Sequence, residues 1–555
     1  MRILSCALLV LVCVGGWAQD AEVPTPAVGA PGGLPEIKAV GIGPTREFRV
    51  NGKPFLPIMG WLQAPANLPR LREVGINTIA GYWWDEEKSL GAGETKNAAE
   101  YAAHAREAGL YFIPPYMPQQ LEAMEHLARA DNVLAWIHDD EPDLPTRVSD
   151  AEIVPGKGLI INPSTPLWKL LDGDRSSWSV LDPLEGATLT IKLGRPVTVA
   201  SLSVWLTISP GLAVAKEVRF LADGREIIRA TLGSKTGEQR LDLPQPATFQ
   251  ELTLEVLSTY PGEQVWGSLG EIEGFDRDGG NALLCPPRKV VRQTPEQVMA
   301  HYQRIKALDP TRPVLMTVTC FFINDKGAFD YWCTHEEADK LYPELLKAAE
   351  VPGFDVYPIY GWNRPEKLYW VSQGAQELRA YAGGEKPLYV WIETQAGFFG
   401  DNTVPVTGVE IRNEVYQAII QGATAIGYFT HRFKPTFAEF GVPEENQTAL
   451  REINGQLQRL APVILSAEAK TRPSIELDGG LAAQCTSREL DGHVHIFALN
   501  LDMDRRSARG TISIEGLKAG TAVEVIDEGR TITAHEGGFS DDFAPLAVHV
   551  YRIKR

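Results

Sequence analysis

Acidic side chains directly follow an apolar segment in the stretch Val133–Asp143, which reads VLAWIHDDEPD. An apolar run of this length that is stopped by a proline is typical of a buried parallel strand. Asp140 and Glu141 would then lie at the carboxyl end of that strand, where an α/β barrel carries its chemistry. The segment PLYVWIETQ at 387–395 places Glu393 at a second strand end. Two strand-end glutamates predict a carboxylate pair, the minimal equipment for cleaving a glycosidic bond.

The roles of the two glutamates follow from what the reaction needs. Glycosidic cleavage requires a proton for the leaving oxygen and a group that meets the developing oxocarbenium ion. In a retaining mechanism Glu141 would be the acid/base and Glu393 the nucleophile. Asp139, Asp140 and Asp143 stand close to Glu141 in the chain, and like charge favours the protonated form that a general acid needs. The alternative is a solvated acidic loop after the strand.

Aromatic and histidine side chains near the predicted strand ends could form the walls of a sugar pocket, because sugar C–H faces pack on aromatic rings. The predicted substrate-binding residues are Asp140, Trp61, Trp83, Trp84, Tyr116, His138, Tyr360, Trp362 and His431, and Phe429 is a further stacking candidate. Core packing is the alternative for any single aromatic, and His138 and His431 could equally be buried structural histidines. Tyr360 could hydrogen-bond the nucleophile. Asp355 is predicted to lie early in a strand and to be structural.

These segments belong to a longer alternation of short apolar strands and amphipathic helices. The predicted strands cover 55–61, 76–82, 110–116, 133–138, 313–319, 354–360, 388–392 and 423–430. The predicted helices cover 68–74, 97–108, 120–130, 294–308, 341–349, 367–381, 409–421 and 447–465. Eight of each predict the α/β class and a (β/α)8 TIM barrel. A doubly wound open sheet is the rival, but no Gly-rich phosphate loop follows the first strand.

Two β-rich regions depart from this alternation. Short strands and turn residues without a good helix predict a β-sandwich that is inserted between the fourth strand and the fourth helix. A second run of short strands predicts a C-terminal β-sandwich. The predicted boundaries are 42–150 for the first half of the barrel, 151–284 for the insertion, 285–466 for the second half and 467–555 for the C-terminal domain.

The chain ends and the charge limit the cellular context and the partners. Residues 1–18 have the basic start, apolar run and small-residue site of a secretory signal, and 19–41 are predicted to be a linker. We therefore expect secretion to an extracellular or periplasmic location, with a retained N-terminal anchor as the alternative, and no membrane span. The net charge of −18 argues against nucleic acid and anionic lipid as partners. The oligomeric state stays open.

Four of the six cysteines lie outside the predicted signal, at Cys285, Cys320, Cys333 and Cys485. Export would permit a disulfide between Cys320 and Cys333, and two free buried thiols are the alternative. Neither CxxC nor HExxH spacing occurs, so no transition-metal site is predicted. We expect no cofactor for catalysis.

The strand-end glutamates carry a family resemblance. Glu141-Pro142 at the end of strand four and Glu393 at the end of strand seven resemble the barrels of glycoside hydrolase clan A. That clan has an Asn-Glu-Pro acid/base motif on strand four and a glutamate nucleophile on strand seven. Asp140 stands where the clan usually has the Asn that contacts the sugar 2-hydroxyl. The resemblance covers roughly residues 42–150 and 285–465, and it implies retaining hydrolysis.

The inserted region is similar to the discoidin (F5/8 type C) and family 32 carbohydrate-binding modules. The matching pieces are LDGDRSSW at 171–178 and GSLGEIEGF at 267–275. The resemblance implies a jelly-roll sandwich, carbohydrate binding and a structural calcium ion. Asp172, Asp174 and Glu271 offer the hard oxygen ligands that calcium takes.

Together these observations predict a secreted glycoside hydrolase that cleaves O-glycosidic bonds of a poly- or oligosaccharide by a retaining two-glutamate mechanism. One alternative is a non-catalytic carbohydrate-binding or cell-surface protein on a degenerate barrel, which Asp140 in place of Asn motivates. The other is an inverting glycosidase in which a nearby aspartate activates water. The sugar and its linkage stay open.

Overall fold

The structure is a computed structural model of the 555-residue chain, and it describes residues 33–82, 97–325, 334–395 and 404–555. The predicted signal and most of the predicted linker lie outside the described residues, as do Trp83, Trp84 and Cys333. Among the described residues the chain forms two compact units. One holds the chain up to Pro142 and again from Pro295 onwards, and the other holds Asp143–Thr294.

A sheet of eight parallel strands forms the centre of the first unit. The strands are β1 Ile58–Trp61, β2 Thr78–Ala80, β3 Tyr111–Ile113, β4 Trp136–Ile137, β5 Val314–Val318, β6 Val351–Asp355, β7 Tyr389–Glu393 and β8 Ala425–Phe429. Their order in the sheet is β3-β2-β1-β8-β7-β6-β5-β4. The two edge strands meet through the parallel bridges Phe112↔Val133 and Pro115↔Ile137. The sheet is therefore a nearly closed barrel.

One α-helix follows each barrel strand along the described chain. The helices are α1 Leu68–Glu73, α2 Ala98–Glu107, α3 Leu121–Leu127, α4 Pro295–Leu308, α5 His335–Leu345, α6 Trp370–Tyr381, α7 Gly408–Ile420 and α8 Glu444–Ile464. A small antiparallel sheet of Val40–Ile42, Phe48–Val50 and Lys53–Phe55 precedes β1. The predicted α/β class and the predicted eight-stranded barrel are confirmed at this level.

Large side chains fill the barrel because glycines make room for them. Tyr389 and Trp391 of β7 are almost fully buried and belong to the central hydrophobic cluster. A Cβ atom at Gly353 of β6 would overlap the Tyr389 ring, and one at Gly427 of β8 would overlap the Trp391 ring. The two glycines thus allow aromatic packing between neighbouring strands.

Arg312 fixes the segment that leads to Glu141. Its buried guanidinium donates to the backbone carbonyls of Ala128 at 2.6 Å and Val133 at 2.7 Å, and to Asp309 Oδ2 at 2.8 Å. The Trp136 indole N–H also donates to Asp309 Oδ2, at 2.9 Å. Because Trp136 begins β4, this network ties β4 to the chain that precedes β5.

Strand β6 lies three residues earlier than the sequence indicated at its start and five earlier at its end. The segment 354–360 was predicted, whereas the strand runs from Val351 to Asp355. Pro352 and Gly353 resemble strand breakers in the sequence, but Gly353 is needed beside Tyr389. Asp355 is consequently the last residue of β6, and the interpretation of Asp355 as an early strand residue is wrong.

The second unit is built of antiparallel strands. The strands Pro145–Val148 and Arg288–Val291 pair where the chain enters and leaves it. One sheet holds Arg225–Thr231, Val214–Ala222, Gly237–Tyr260, Thr188–Leu206, Ile272–Phe275 and Glu152–Pro155, and another holds Ile160–Ile161, Ser179–Asp182 and Gly267–Leu269. One hydrophobic core joins residues of both sheets, such as Leu181, Val204 and Leu254. The unit spans the predicted insertion 151–284.

The C-terminal region forms two antiparallel sheets within the first unit. One contains Ser474–Leu477, Ala508–Ser513 and Gly538–Phe543, and the other contains Ala483–Leu490, His493–Asn500, Ala522–Val525, Arg530–Thr533 and Val548–Lys554. Ile512 and Phe539 of the smaller sheet share one hydrophobic core with Ile496 and Tyr551 of the larger one. Shared burial between two sheets is typical of sandwich packing, and the assignment of 467–555 as a separate β-sandwich domain stays a prediction.

Candidate functional site

Four carboxylic acids lie at the carboxyl ends of barrel strands. Asp140 and Glu141 follow β4, Asp355 ends β6 and Glu393 ends β7. Asp140 is exposed and Glu141 is half-buried. Glu141 has a φ of 48°, a left-handed conformation that is uncommon outside glycine and is concentrated at functional sites. Since the strands are parallel, these acids stand at one end of the barrel, the end that carries catalytic residues in α/β barrels.

Tyr357 connects three of these acids. The pKa of its hydroxyl lies well above the usual range, first because of burial and then because of the negative charges of Asp355, Asp140 and Glu141. Burial, followed by the charges of Asp140 and Asp355, likewise raises the pKa of Tyr389, although its bond with Thr317 opposes the shift. Asp140, Glu141 and Asp355 therefore act on a common region around Tyr357.

Glu393 lies beside this region but is completely covered. Its side chain has no exposed surface. One carboxylate oxygen accepts the backbone N–H of Ile359 at 2.9 Å, and the other accepts the backbone N–H of Tyr360. Burial raises the pKa of Glu393 to about 7, although these two hydrogen bonds and its contact with Glu414 favour ionisation. The turn after β6 thus holds the Glu393 carboxylate.

Glu414 of α7 is the second member of a buried acid pair. Its side chain has no exposed surface, and neither carboxyl oxygen has a hydrogen-bond donor among the described residues. Burial, followed by the charge of Glu393, raises its pKa well above the usual range. Two carboxyls can hydrogen-bond only if one is protonated. Because Glu393 already accepts two N–H groups, Glu414 is the member that retains the proton.

Glu410, one turn earlier in α7, has a different environment. Its carboxylate pairs with Arg505 and completes a capping box with Thr407 at the start of the helix. A cation and a helix N-terminus compensate this buried charge. Glu410 is therefore a structural acid, in contrast to Glu414.

Tyr360 and His431 hold the loops around Glu393. The Tyr360 hydroxyl donates to the His431 carbonyl oxygen at 2.8 Å, so the hydrogen bond from Tyr360 to Glu393 comes from its backbone N–H and not from its hydroxyl. His431 Nε2 lies 2.7 Å from the Leu62 carbonyl oxygen. Burial lowers the pKa of His431 to about 4, so the ring is neutral at pH 7 and Nε2 carries the proton for this bond.

Phe429, the last residue of β8, packs among aromatic side chains at the strand ends. Its ring centroid lies 5.0 Å from that of Tyr357, 5.9 Å from Tyr360 and 5.1 Å from His431. Trp61 is 8% exposed and packs edge-on against Trp391 at 5.2 Å. The Trp61 ring is thus part of the barrel packing directly beneath the strand ends.

The other predicted binding residues have contacts elsewhere. His138 is buried, with Nε2 at 2.7 Å from the Ala348 carbonyl oxygen and its ring 5.2 Å from that of His301. Burial lowers its pKa to about 4. Tyr116 lies edge-on to His301 at 5.7 Å. Trp362 is half-buried and lies edge-on to Phe321 and Trp370.

Sequence reasoning gave Asp355 a structural role and did not single out Tyr357 or Glu414. Because Pro352 and Gly353 led to a misplaced β6, the strand-end position of Asp355 and the position of Tyr357 just after the strand were not recognised. Glu414 could have been found, because it lies on α7 between Asn413 and Val415 and the whole span Ile411–Ile420 except Arg412 is buried. A charged residue in a buried helix needs a partner.

The predicted calcium ligands Asp172 and Glu271 lie side by side in the second unit. Glu271 is buried, with one carboxylate oxygen accepting the Gly173 N–H at 2.8 Å and the other without a donor in the described chain. Burial raises its pKa to about 8, and Asp172 lies beside it. Asp172 also accepts the Ser177 hydroxyl at 3.3 Å. Asp172 and Glu271 are thus brought together.

Asp174 does not join them in this arrangement. One of its carboxylate oxygens accepts the backbone N–H of Ser176 at 2.9 Å and the hydroxyl of the same residue at 2.6 Å. No group of three or more His, Cys, Asp or Glu side chains in the described chain is arranged to hold a metal ion. Two carboxylates fit a calcium site in part, since calcium takes six to eight oxygens, including backbone carbonyls and water.

Two further predictions concern cysteines and membranes. Cys320 is buried, but its predicted partner Cys333 lies outside the described residues, so the choice between a disulfide and two thiols stays open. In the ranges that the structure describes, no helix is both long enough and apolar enough to cross a membrane.

Comparison with known proteins gives structural similarities only. No family model and no curated protein match the chain. A family 32 carbohydrate-binding module from C. perfringens, solved with galactose, matches 23% of this chain and 97% of its own, at 13% identity and a TM-score of 0.20. The C-terminal domain of a chitobiase from Bacteroides fragilis matches 23% and 95%, at 16% identity and 0.19. An Anoxybacillus α-amylase matches 48% and 57%, at 11% identity and 0.32.

Proposed function

We propose that the chain is an exported glycoside hydrolase on a (β/α)8 TIM barrel and cleaves O-glycosidic bonds of a poly- or oligosaccharide. The observation that carries this proposal is the convergence of Asp140, Glu141 and Asp355 on Tyr357 at the carboxyl ends of β4 and β6. Several carboxyls that share one partly covered region supply the acid and base groups that glycosidic cleavage requires. The α/β barrel is the scaffold on which such strand-end residues meet.

In the retaining route, Glu141 donates its proton to the glycosidic oxygen while the Glu393 carboxylate bonds to the anomeric carbon. The bond between that carbon and the leaving oxygen breaks, which releases the leaving sugar and gives a glycosyl ester on Glu393. Glu141 then takes a proton from water, and the water oxygen displaces Glu393. The product keeps the anomeric configuration of the substrate.

The environment of Glu393 favours a second route. Glu393 has no exposed surface, and both of its oxygens accept backbone N–H groups. Asp355 is partly exposed and acts on Tyr357 together with Glu141. In an inverting reaction Asp355 would take a proton from water as the water attacks the anomeric carbon, while Glu141 protonates the leaving oxygen. This route makes Glu393 a structural acid.

The second unit would bind carbohydrate or stabilise the protein, with a calcium ion that Asp172 and Glu271 help to hold. Its antiparallel sheets around one core support the proposal of a jelly-roll sandwich module. The likeness to solved carbohydrate-binding modules is too low to argue for a ligand.

The experiment is hydrolysis of a panel of oligosaccharides and polysaccharides by the full chain, followed by NMR of the first product. Release of new reducing ends supports a glycoside hydrolase. Retained configuration together with loss of activity in Glu393→Gln supports the retaining route. Inverted configuration together with loss of activity in Asp355→Asn supports the second route. Binding of glycans without turnover of any would leave the non-catalytic carbohydrate-binding protein as the function.

A further inference from the structure

Three phenylalanines form a continuous row that starts at the end of β8. The rings of Phe429 and Phe433 are nearly parallel, at 14° with centroids 6.3 Å apart, and Phe437 follows Phe433 at 5.6 Å. We call Phe429, Phe433 and Phe437 the aromatic row. Its inner end touches Tyr357 and Tyr360, as Phe429 lies 5.0 Å and 5.9 Å from their centroids. The row therefore begins at the acid cluster.

The row becomes more exposed away from the acids. Phe429 and Phe433 are half-buried, whereas Phe437 is 36% exposed. Phe437 is one of the few large apolar side chains on the surface of the described chain. A large exposed aromatic is costly to leave in water and is enriched where a ligand covers it.

The loop that carries Phe433 and Phe437 is held in a fixed shape. Arg432 and Ala438 exchange two backbone hydrogen bonds of 2.8 Å each, and these close the five-residue loop between them. The Tyr360 hydroxyl, which donates to the His431 carbonyl at 2.8 Å, also bonds the backbone of Phe433. The same tyrosine that places its N–H on Glu393 therefore anchors the aromatic row. Such a surface loses little entropy when a ligand binds.

Polar groups border the row. The Arg432 guanidinium is oriented by the Thr436 carbonyl oxygen at 3.3 Å and hydroxyl at 3.4 Å. A flat apolar surface with hydrogen-bond donors at its edge is the complement of a sugar ring, which has an apolar C–H face and a rim of hydroxyls.

We propose that Phe433 and Phe437 form a subsite for a sugar residue that lies beyond the bond cleaved at Glu141. This inference rests on the proposed glycoside hydrolase function and identifies the residues that would bind a further sugar unit of its substrate. The occupant is a further unit of the same glycan chain, because the row is continuous with the acid cluster and leads from it to the surface. The substrate is accordingly an oligo- or polysaccharide and not a single sugar with a small leaving group.

The test compares long and short substrates in Phe437→Ala and Phe433→Ala. The long substrates are the oligosaccharides of the panel above. The short substrates are glycosyl fluorides of the same terminal sugars, which have no second sugar ring. We expect the ratio of kcat/KM for oligosaccharide to kcat/KM for fluoride to fall about tenfold, in line with the loss of one apolar contact surface. Leu121→Ala, which removes a 53% exposed side chain from α3, is the matched control and should leave the ratio unchanged.

An unchanged ratio in both phenylalanine variants would overturn the subsite. If the full chain hydrolyses no substrate of the panel, the proposed function fails, and the subsite is then judged by saturation-transfer NMR with the same oligosaccharides. Binding by the unmodified chain that is lost in Phe437→Ala supports the subsite. Binding that persists in both variants, or no binding by the unmodified chain, overturns it.

Discussion

Glu393 and Glu414 form a pair of fully buried carboxyls, in which Glu393 accepts two backbone N–H groups and Glu414 has no donor in the described chain. Both side chains have folded-state pKa values above their ordinary ones, chiefly because of burial. The pair therefore holds a proton at a pH where the unfolded chain has released it. This arrangement joins the carboxyl end of β7 to the inner face of α7.

Protein stability should consequently decrease as the pH rises. A carboxyl whose pKa is raised in the folded state binds more protons there than in the unfolded chain. For Glu393 this difference exists between the unfolded pKa of about 4.5 and the folded pKa of about 7, so the stability falls as the pH rises through this range. We expect Glu414→Gln, which keeps a donor for Glu393, to stabilise the chain at pH 8 and to have little effect at pH 4.5, because glutamine has no proton to lose as the pH rises.

Thermal unfolding of both proteins across this pH range measures the effect. Glu410→Gln is the control, because it weakens the ion pair with Arg505. It should lower the stability of the protein and should not reduce the loss of stability with rising pH that Glu414→Gln reduces. Parallel pH curves for Glu414→Gln and the unmodified chain would show that the pair shares no proton.

Removal of the Arg312 guanidinium should destabilise the barrel strongly. Burial alone would raise the pKa of Asp309, but hydrogen bonds from Thr311, Trp136 and Arg312 lower it to about 2. Arg312→Met removes the buried cation that pairs with this carboxylate and the donor of three backbone carbonyls, those of Ala128, Ala130 and Val133, at a cost of about 3–5 kcal/mol. Urea unfolding measures the change. Arg129→Met, at an exposed position after α3, should stay close to the unmodified protein, and an equal effect of both variants would refute the network.

The hydroxyl of Tyr357 should matter for activity more than for folding. Tyr357→Phe keeps the ring against Phe429 but removes a hydroxyl on which three carboxylates act. We expect kcat to fall by about tenfold or more, the size of an effect from one positioned polar group, with an unchanged melting temperature. Tyr381→Phe, whose hydroxyl bonds Asp339 at 2.7 Å, is the control. Full activity of Tyr357→Phe would remove Tyr357 from the site.

Calcium should stabilise the second unit through Glu271. A ligand at a hundredfold excess over its Kd adds about 2.7 kcal/mol of stability, so calcium should raise the unfolding temperature relative to a chelator. Glu271→Gln should lose this response. Asp174→Ala should retain it, because Asp174 is engaged with Ser176. The same unfolding temperature with calcium and with a chelator would contradict the site.

Most of the barrel was predictable because most of its strands are short apolar runs. The strand that ends on Glu393 was placed within one residue for this reason, and β4 brought Asp140 and Glu141 to the expected end. Strand β6 was misplaced because Pro352 and Gly353 meet a packing demand, the ring of Tyr389, that only the folded barrel reveals. The strand-end position of Asp355 and the place of Tyr357 in the site were therefore not predicted.

The details of the site were harder to predict than its location. A sequence names Tyr360 as a possible partner of Glu393 but does not tell whether its hydroxyl or its backbone N–H makes the bond. The acid pair depends on the meeting of β7 and α7, which are separate in the chain. The sequence likewise does not tell that the Asp174 carboxylate accepts hydrogen bonds from Ser176, whereas Asp172 lies beside Glu271.

The most direct test of the account is kcat/KM of Glu141→Gln on an oligosaccharide that the unmodified chain hydrolyses. Asp139→Asn, at an exposed residue two positions earlier, is the matched control. General acid catalysis is worth about 10²–10⁴-fold, so we predict a loss of that size in Glu141→Gln and near-normal activity in Asp139→Asn. A Glu141→Gln enzyme as active as the control would contradict the assignment of the acid and, with it, the catalytic function of this barrel.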